Sequence, residues 1–455
     1  MSRDAHLQGP QHLLLEKIAH RRATVGVIGL GYVGLPLAVA FAEAGFPVVG
    51  VEKSTERLTA LQQGHSYIED IPSERLARCL TPTEGKGGIA VTQDPAALGS
   101  ADASIICVQT PLAPGGAPDI SAIVDAADSL SGYLRPGGLV VLESTTYPGT
   151  TREVVLPLLE RKGLRVGEGF FLAYSPERID PGNRQWTVQN TPKVVGGVTP
   201  ACTAVACALY QAITPRVVPV SSPTAAEMVK LLENTFRAVN IALVNEVALL
   251  CERLGVDVWE IIEAAKTKPF GFMPFYPGPG VGGHCIPKDF RLLAWKAQAT
   301  GYTSILLEEA YRINASMPEV VVERIAHALA QRGKPLAGAQ VLVLGVAYKP
   351  DVGDTRDSPA VEVIRLLRQQ GAQVSYHDPY VPALRLDGQT LERARLDTST
   401  LEWADCVVVT TAHSAYDWEW VVKHSRLVVD TRNATAGLNG GRASIVRLGV
   451  GEAKR

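Results

Sequence analysis

The chain of 455 residues lacks most of what would tie it to nucleic acid, a membrane or a disulfide scaffold. Lys and Arg total 44 against 46 Asp and Glu, a net charge of −2, so no strongly basic face is implied and general nucleic-acid binding is not expected. There are seven cysteines, at 79, 107, 202, 207, 251, 285 and 406. Their odd number, wide spacing and lack of any Cys-x-x-Cys argue against a disulfide framework and against a zinc site, and they fit a reducing compartment. No apolar run reaches the roughly 18 residues that span a bilayer. Residues 1–22 carry charges on both sides of the short run Leu13-Leu14-Leu15 and lack the apolar stretch of a signal peptide, so a cytoplasmic protein is expected. Aromatics are scarce at 6%, but 46% apolar and 20% charged residues are ordinary for a globular chain and exclude a mainly disordered one. At roughly 150 residues per domain, two or three domains fit.

What is present is a repeated alternation of short apolar strands and helical stretches. Ala23 to Ile28 reads as a buried strand, Gly29 to Gly34 as a glycine turn, Leu35 to Gly45 as a helix and Phe46 to Val51 as a second strand. Further strands are expected over 103–108, 138–142 and 170–174, with a helix over 120–130. These βα units predict a doubly wound parallel sheet. From Thr224 to about Leu254 the pattern becomes helical, with no proline after its start, and predicts a helix of about 30 residues, nearly three times the mean length. Such a helix carries more apolar area than one small domain covers, which points to a homodimer. Residues 307–332 read as helical. A second α/β unit begins near Lys334, with strands expected over 340–346, 374–377, 405–410 and 426–430 and a helix over 361–370.

Gly29, Gly31 and Gly34 form Gly-x-Gly-x-x-Gly, enclosing Tyr32 and Val33, directly after a strand and before a helix. The first glycine permits the tight turn, the second lets a pyrophosphate approach the backbone, and the third allows close helix–strand packing. The helix N-terminus favours the phosphates. Glu52 closes the second strand 23 residues after Gly29. It can accept hydrogen bonds from ribose hydroxyls and would repel a 2′-phosphate, so NAD is favoured over NADP, a preference that Lys53 and Arg57 weaken slightly. Thr110 and Thr145 sit at strand ends, where ligands bind in open α/β sheets.

The segment Gly280 to Asp289, GVGGHCIPKD, places Cys285 among glycines, beside Lys288 and Asp289. Glycines allow close backbone approach to a ligand, and a thiolate beside a cofactor domain suggests covalent catalysis. Lys230, Asn234 and Arg237 lie at i, i+4 and i+7, one face of a helix.

The chain resembles the UDP-glucose/GDP-mannose 6-dehydrogenase family from Val25 to about Asn433. The motifs are VIGLGYVGLPLA at 27–38, ICVQTPL at 106–112, ESTTYPGT at 143–150, YSPERIDPG at 174–182, KLLENTFRAVN at 230–240, PGPGVGGHCIPKD at 277–289, AYKPDVGDTRDSP at 347–359 and DTRN at 430–433. The resemblance implies an α/β fold of two Rossmann-like domains joined by a long-helix central domain. Residues 23–215 would bind NAD, 216–320 would form the helical, dimerising part, and 330–440 would bind the UDP-sugar. It also implies a four-electron oxidation of a sugar CH2OH to a carboxylate, for surface polysaccharide synthesis. Cys285 would form a thiohemiacetal and then a thioester. Lys230 would act as general acid/base on the C6 oxygen and Asn234 would orient the sugar. Glu177 would activate the hydrolytic water, and Asp289 would hold a water or tune Lys230 and Cys285. Arg178, Ile179 and Arg237 would lie at the sugar. Tyr276, Gly282, Tyr348, Lys349 and Arg432 would complete the UDP-sugar site, the basic groups suiting a diphosphate. Thr110, Thr145 and Arg356 would contact NAD. The segment TKPFGFMPFYPGPGVGGHCIP is most similar to bacterial UDP-N-acetylglucosamine 6-dehydrogenases. Pro269 and Gly271 stand where UDP-N-acetylmannosamine enzymes usually carry a His-x-Arg pair, whereas Lys288-Asp289-Phe290 is more like the UDP-glucose enzymes. UDP-N-acetylglucosamine is the favoured substrate, with UDP-glucose and UDP-N-acetylmannosamine as alternatives and a non-catalytic nucleotide-sugar sensor as the rival of another class.

Overall fold

The computed structural model describes residues 9–68, 70–81, 87–179, 185–283, 286–438, 441 and 443–451. Cys285, expected as the nucleophile, lies outside the described residues. The chain divides into two compact units, residues 1–233 with 291–300 and residues 234–290 with 301–455.

The first unit opens on a helix, Pro10–Ala19, that buries Leu14 and Ile18. Eight strands follow: β1 (Val25–Ile28), β2 (Val48–Val51), β3 (Ile89–Thr92), β4 (Ala103–Ile106), β5 (Leu139–Leu142), β6 (Phe171–Tyr174), β7 (Lys193–Gly197) and β8 (Val217–Val220). They form one sheet in the order β3-β2-β1-β4-β5-β6-β7-β8. Every residue of β1, β4, β5 and β6 is buried, as strands covered on both faces must be, and this explains why their runs are apolar but for Ser104 in β4. The helix Gly34–Glu43 connects β1 to β2 and buries Gly34 through Ala42. Strand order reverses between β1 and β4, the switch point at which open α/β sheets receive ligands.

The second unit carries β9 (Gln340–Leu344), β10 (Gln373–His377), a hairpin of β11 (Ala383–Leu386) and β12 (Gln389–Glu392), β13 (Cys406–Val409), β14 (Leu427–Asp430) and β15 (Ser444–Arg447). Its sheet is all parallel in the order β10-β9-β13-β14-β15. Here the switch point falls between β9 and β13.

The long helix spans Pro223–Leu254, 32 residues, and runs from the first unit into the second. Gly255, at φ +74°, takes the left-handed conformation that ends it. A second long helix, Ile305–Ala330, keeps Pro318 buried in its interior.

Among the described residues two strand pairs differ from the expected parallel pattern: β6 and β7 run antiparallel, and so do the strands of the β11–β12 hairpin. The structure also adds elements the sequence reading did not name, among them β3, β7, β8 and the helices Pro200–Gln211, Val258–Lys266 and Ile286–Ala299.

Candidate functional site

In the first unit the glycine turn follows β1 at the switch point. Gly29 has φ +88°, and a Cβ there would lie 2.9 Å from the Cys107 carbonyl oxygen. A Cβ at Gly34 would lie 1.9 Å from the Gly29 carbonyl oxygen, whereas at Gly31 the nearest atom is an Arg57 nitrogen at 3.9 Å. The first and third glycines are thus demanded by the fold, and the second leaves open backbone on which a pyrophosphate can rest. Tyr32 is exposed and Val33 half-buried beside it. Glu52, 6% exposed, accepts the Leu30 N–H at 3.0 Å and the Ser54 N–H at 2.9 Å, bracing the turn. A carboxylate has about four lone-pair sites, so capacity for two ribose hydroxyls remains. These residues fit an NAD cofactor. Lys53, by contrast, reaches outward to Asp125 at 3.4 Å.

Thr110 and Thr145 come together at the ends of β4 and β5, the Thr110 hydroxyl donating to the Thr145 carbonyl. Past the end of β6, Glu177 is buried, and its Oε1 accepts the backbone N–H groups of Arg178 and Ile179, each at 2.6 Å. The Arg178 guanidinium grips Glu233 of the long helix through two bonds, 2.6 and 3.3 Å, and donates to the Pro192 carbonyl at 2.7 Å. Lys230 is buried on the same helix. One helical turn earlier, Glu227 is fully buried. It accepts the Gly149 N–H at 2.5 Å, the Thr151 N–H at 2.9 Å and the Thr151 hydroxyl at 2.6 Å. Burial pushes its carboxyl above the ordinary value, against the pull of these donors.

In the second unit Asn234 donates to Asp289 Oδ2 at 2.5 Å, and the Lys288 ammonium lies 3.9 Å from Oδ1 of this fully buried aspartate. The expected polar face of the long helix is therefore graded: Lys230 buried, Asn234 half-buried and Arg237 exposed, with no described contact joining Arg237 to the other site residues.

Tyr276, Tyr348, Lys349 and Arg432 line one cavity of about 450 Å³, together with Trp259, Glu263, Pro277, Pro350, Ala412 and Asn433. It opens past the carboxyl ends of β9, β13 and β14, the switch point of the second sheet. The Tyr276 ring stacks on Trp259, 6.0 Å between centroids and 14° between planes, and its hydroxyl donates to Glu263 at 2.7 Å. Arg432 donates from Nε to the Thr410 carbonyl at 3.0 Å. Burial drives its guanidinium down to about 10, with Asp430 opposing, so an anion in the cavity would stabilise a cation the fold has partly desolvated. Gly282 and Gly283 pack on Tyr348: a Cβ at Gly283 would meet its ring at 2.8 Å. The Arg356 carbonyl accepts the Gly283 N–H at 3.0 Å while its guanidinium is held by Asp354.

Several residues here escaped the sequence reading. Trp259 and Glu263 carry an available signal, a four-residue spacing on the helix Val258–Lys266. Lys193 and Tyr210 stand in no motif, and they meet Glu143, the first residue of ESTTYPGT, only in three dimensions.

A dinucleotide turn on one switch point and an anion-suited, aromatic cavity on the other define a nucleotide-using oxidoreductase. Three family models match in order: the NAD binding domain of the UDP-glucose/GDP-mannose dehydrogenase family at residues 23–214, its central domain at 224–316 and its UDP binding domain at 342–437. The chain belongs to the UDP-glucose/GDP-mannose dehydrogenase family and is an NAD-dependent nucleotide-sugar dehydrogenase. It is 37% identical over 414 residues to a UDP-N-acetyl-D-mannosamine dehydrogenase of Pyrococcus horikoshii, covering 90% of this chain and 95% of the relative. It is 36% identical over 395 residues to a UDP-N-acetyl-D-glucosamine 6-dehydrogenase of Pseudomonas aeruginosa, covering 86% and 88%. The solved structure of the UDP-D-ManNAc dehydrogenase from Pyrococcus horikoshii superposes with a TM-score of 0.85 at 36% identity, over 94% of this chain and 100% of that one. Among the described residues no helix is long and apolar enough to cross a membrane.

Proposed function

We propose that the chain oxidises the C6 hydroxymethyl of UDP-N-acetylglucosamine to the uronic acid, in four electrons, as a precursor of surface polysaccharide. NAD, when bound on the glycine turn, supplies the hydride acceptor for both oxidations. The protein's residues do the rest. Lys230 exchanges the proton of the C6 oxygen, Asn234 orients that oxygen, and Asp289 orients the Asn234 amide through their hydrogen bond. The Cys285 thiolate adds to the aldehyde, and Glu177 takes a proton from the water that releases the acid. Arg432, Lys349, Tyr348 and Tyr276 receive the uridine diphosphate. The observation that carries this reading is the cavity pairing Arg432 and Lys349 with stacked aromatics, which suits a diphosphate joined to a base.

The sugar rests on the PFGF segment at 269–272 and on the Pseudomonas relative. The Pyrococcus relative favours UDP-N-acetylmannosamine as the second reading. NADH formation with UDP-N-acetylglucosamine, UDP-glucose and UDP-N-acetylmannosamine side by side decides between them. Two NADH per UDP-N-acetylglucosamine, with the others much slower, is expected. Preference for either other sugar overturns the substrate, and one NADH per sugar overturns the covalent route.

A further inference from the structure

We infer that Lys193 is a positioning residue for the hydrolytic step: its buried ammonium, lodged between Glu143 and Glu177, pairs with Glu177 Oε2 and leaves that oxygen open to take a proton from water. The inference rests on the hydrolytic role proposed for Glu177. Lys193 opens β7, and its side chain is 5% exposed. Its Nζ lies 2.9 Å from Glu143 Oε1, at the end of β5, and 3.6 Å from Glu177 Oε2, past the end of β6. Glu143 is itself tied by the Tyr210 hydroxyl from the helix Pro200–Gln211, and the Lys193 ammonium sits 5.1 Å over the Tyr210 ring. Cys107, past the end of β4, completes the group, its thiol pushed far up by burial and by Glu143.

Glu177 Oε1 is fixed by two backbone N–H groups, whereas Oε2 is buried with no hydrogen-bond donor among the described residues. A buried carboxylate oxygen without a donor is costly unless it serves something. Lys193 neutralises it at a distance longer than a hydrogen bond, so its lone pairs stay open to a water. Burial alone would drive the Lys193 ammonium down, but Glu143 and Glu177 outweigh it and hold it above an ordinary lysine. Burial pushes the Glu143 carboxyl above the ordinary value, against the pull of Lys193 and the Tyr210 hydroxyl. Without the ammonium, the Glu143 and Glu177 carboxyl groups would face each other in a dry site with no cation between them, an arrangement that favours taking up a proton. In the step concerned, water oxygen bonds to the thioester carbon, the carbon–sulfur bond breaks, sulfur leaves as thiolate, and the water's proton passes to Glu177.

The test follows acyl-enzyme by intact mass, and its decay in single turnovers from pH 5 to 9, using whichever of the three UDP-sugars turns over fastest at saturating NAD. Glu177→Gln is expected to accumulate acyl-enzyme at all pH values; if it does not, the hydrolytic role of Glu177 fails, and the inference with it. Lys193→Met is expected to move the acid limb of the decay to higher pH by about 1, a roughly tenfold slower decay along that limb. Glu143→Gln, which keeps the ammonium and should fold even where Lys193→Met does not, is expected to move it to lower pH. The double variant, Lys193→Met with Glu143→Gln, should return towards wild type. Opposite shifts are not what a merely structural role gives. Superimposable profiles for the single variants, while Glu177→Gln still traps acyl-enzyme, would overturn the inference.

Discussion

At the residue scale, the loop that carries Tyr348 and Lys349 hangs from one carboxylate. Asp378 is fully buried at the end of β10, and its Oδ2 accepts the N–H groups of Val346 at 2.7 Å and Ala347 at 3.0 Å, while Oδ1 accepts that of Tyr380 at 2.8 Å. His413 completes the shell at 2.9 Å from Nε2. Its Nδ1 accepts the Asp351 N–H, so Nε2 carries the proton. Burial pushes the Asp378 carboxyl up, but these donors outweigh it and hold it below the ordinary aspartate value. Its folded value being depressed, the stabilisation is fully present above the unfolded value near 3.9 and is lost as pH falls through the lower folded value. Asp378→Asn turns an amide nitrogen towards backbone donors. It should cost about 3 kcal/mol, flatten the loss of stability below about pH 4, and weaken UDP binding. Thermal melts across pH and a UDP titration check this; an unchanged melting temperature at pH 7 would refute it.

At the element scale, the turn after β1 has no slack. Gly34→Ala puts a methyl 1.9 Å from the Gly29 carbonyl oxygen, a backbone atom that can move only with the turn. NAD affinity, followed by titration, should fall roughly tenfold or more, which is about 1.4 kcal/mol, while Gly31→Ala meets open space in the protein and acts only on bound pyrophosphate. This turn was legible in sequence because its glycines, strand and helix are contiguous, and so was the long helix, missed by a single residue at its start. The rest was hidden for physical reasons. Strand β7 reads KVVGG, too glycine-rich to signal a strand, and β8 reads VVPV, where Pro219 argues against one. Proline is tolerated there because β8 is the sheet's edge, where a missing N–H breaks no ladder. The helix Ile286–Ala299 was masked by Pro287, which a first turn accommodates. Among site residues, motif positions such as Arg432 and Glu177 could be named from sequence. Lys193 and Asp378 could not, because their roles depend on strand ends brought together by the sheet.

At the scale of the whole molecule, the long helix leaves unsatisfied area. Leu232, Phe236, Leu243, Leu250 and Leu254 are 62, 47, 56, 52 and 66% exposed. Their spacing of 4, 7, 7 and 4 residues draws one stripe along the helix, the 3.5-residue repeat of a helix–helix seam. Exposed apolar stripes of this length are rare on monomers. The same surface in a second copy is the natural cover, because a two-fold pairing needs only one patch that complements itself. We therefore propose a homodimer closed along this stripe. The wild-type chain should run at twice 48.6 kDa in size exclusion with light scattering. Leu243→Glu with Leu250→Glu would face two added charges per chain across the seam, and unpaired charges in a desolvated contact cost several kcal/mol. That variant should run as a monomer that still binds NAD, since neither position lies near the glycine turn in sequence or in its unit. A wild-type monomer, or a variant that stays dimeric, would remove the stripe from any role in assembly. Loss of NAD binding in the variant would show instead that the long helix holds the fold, and that its exposed leucines are tied to the chain's own stability.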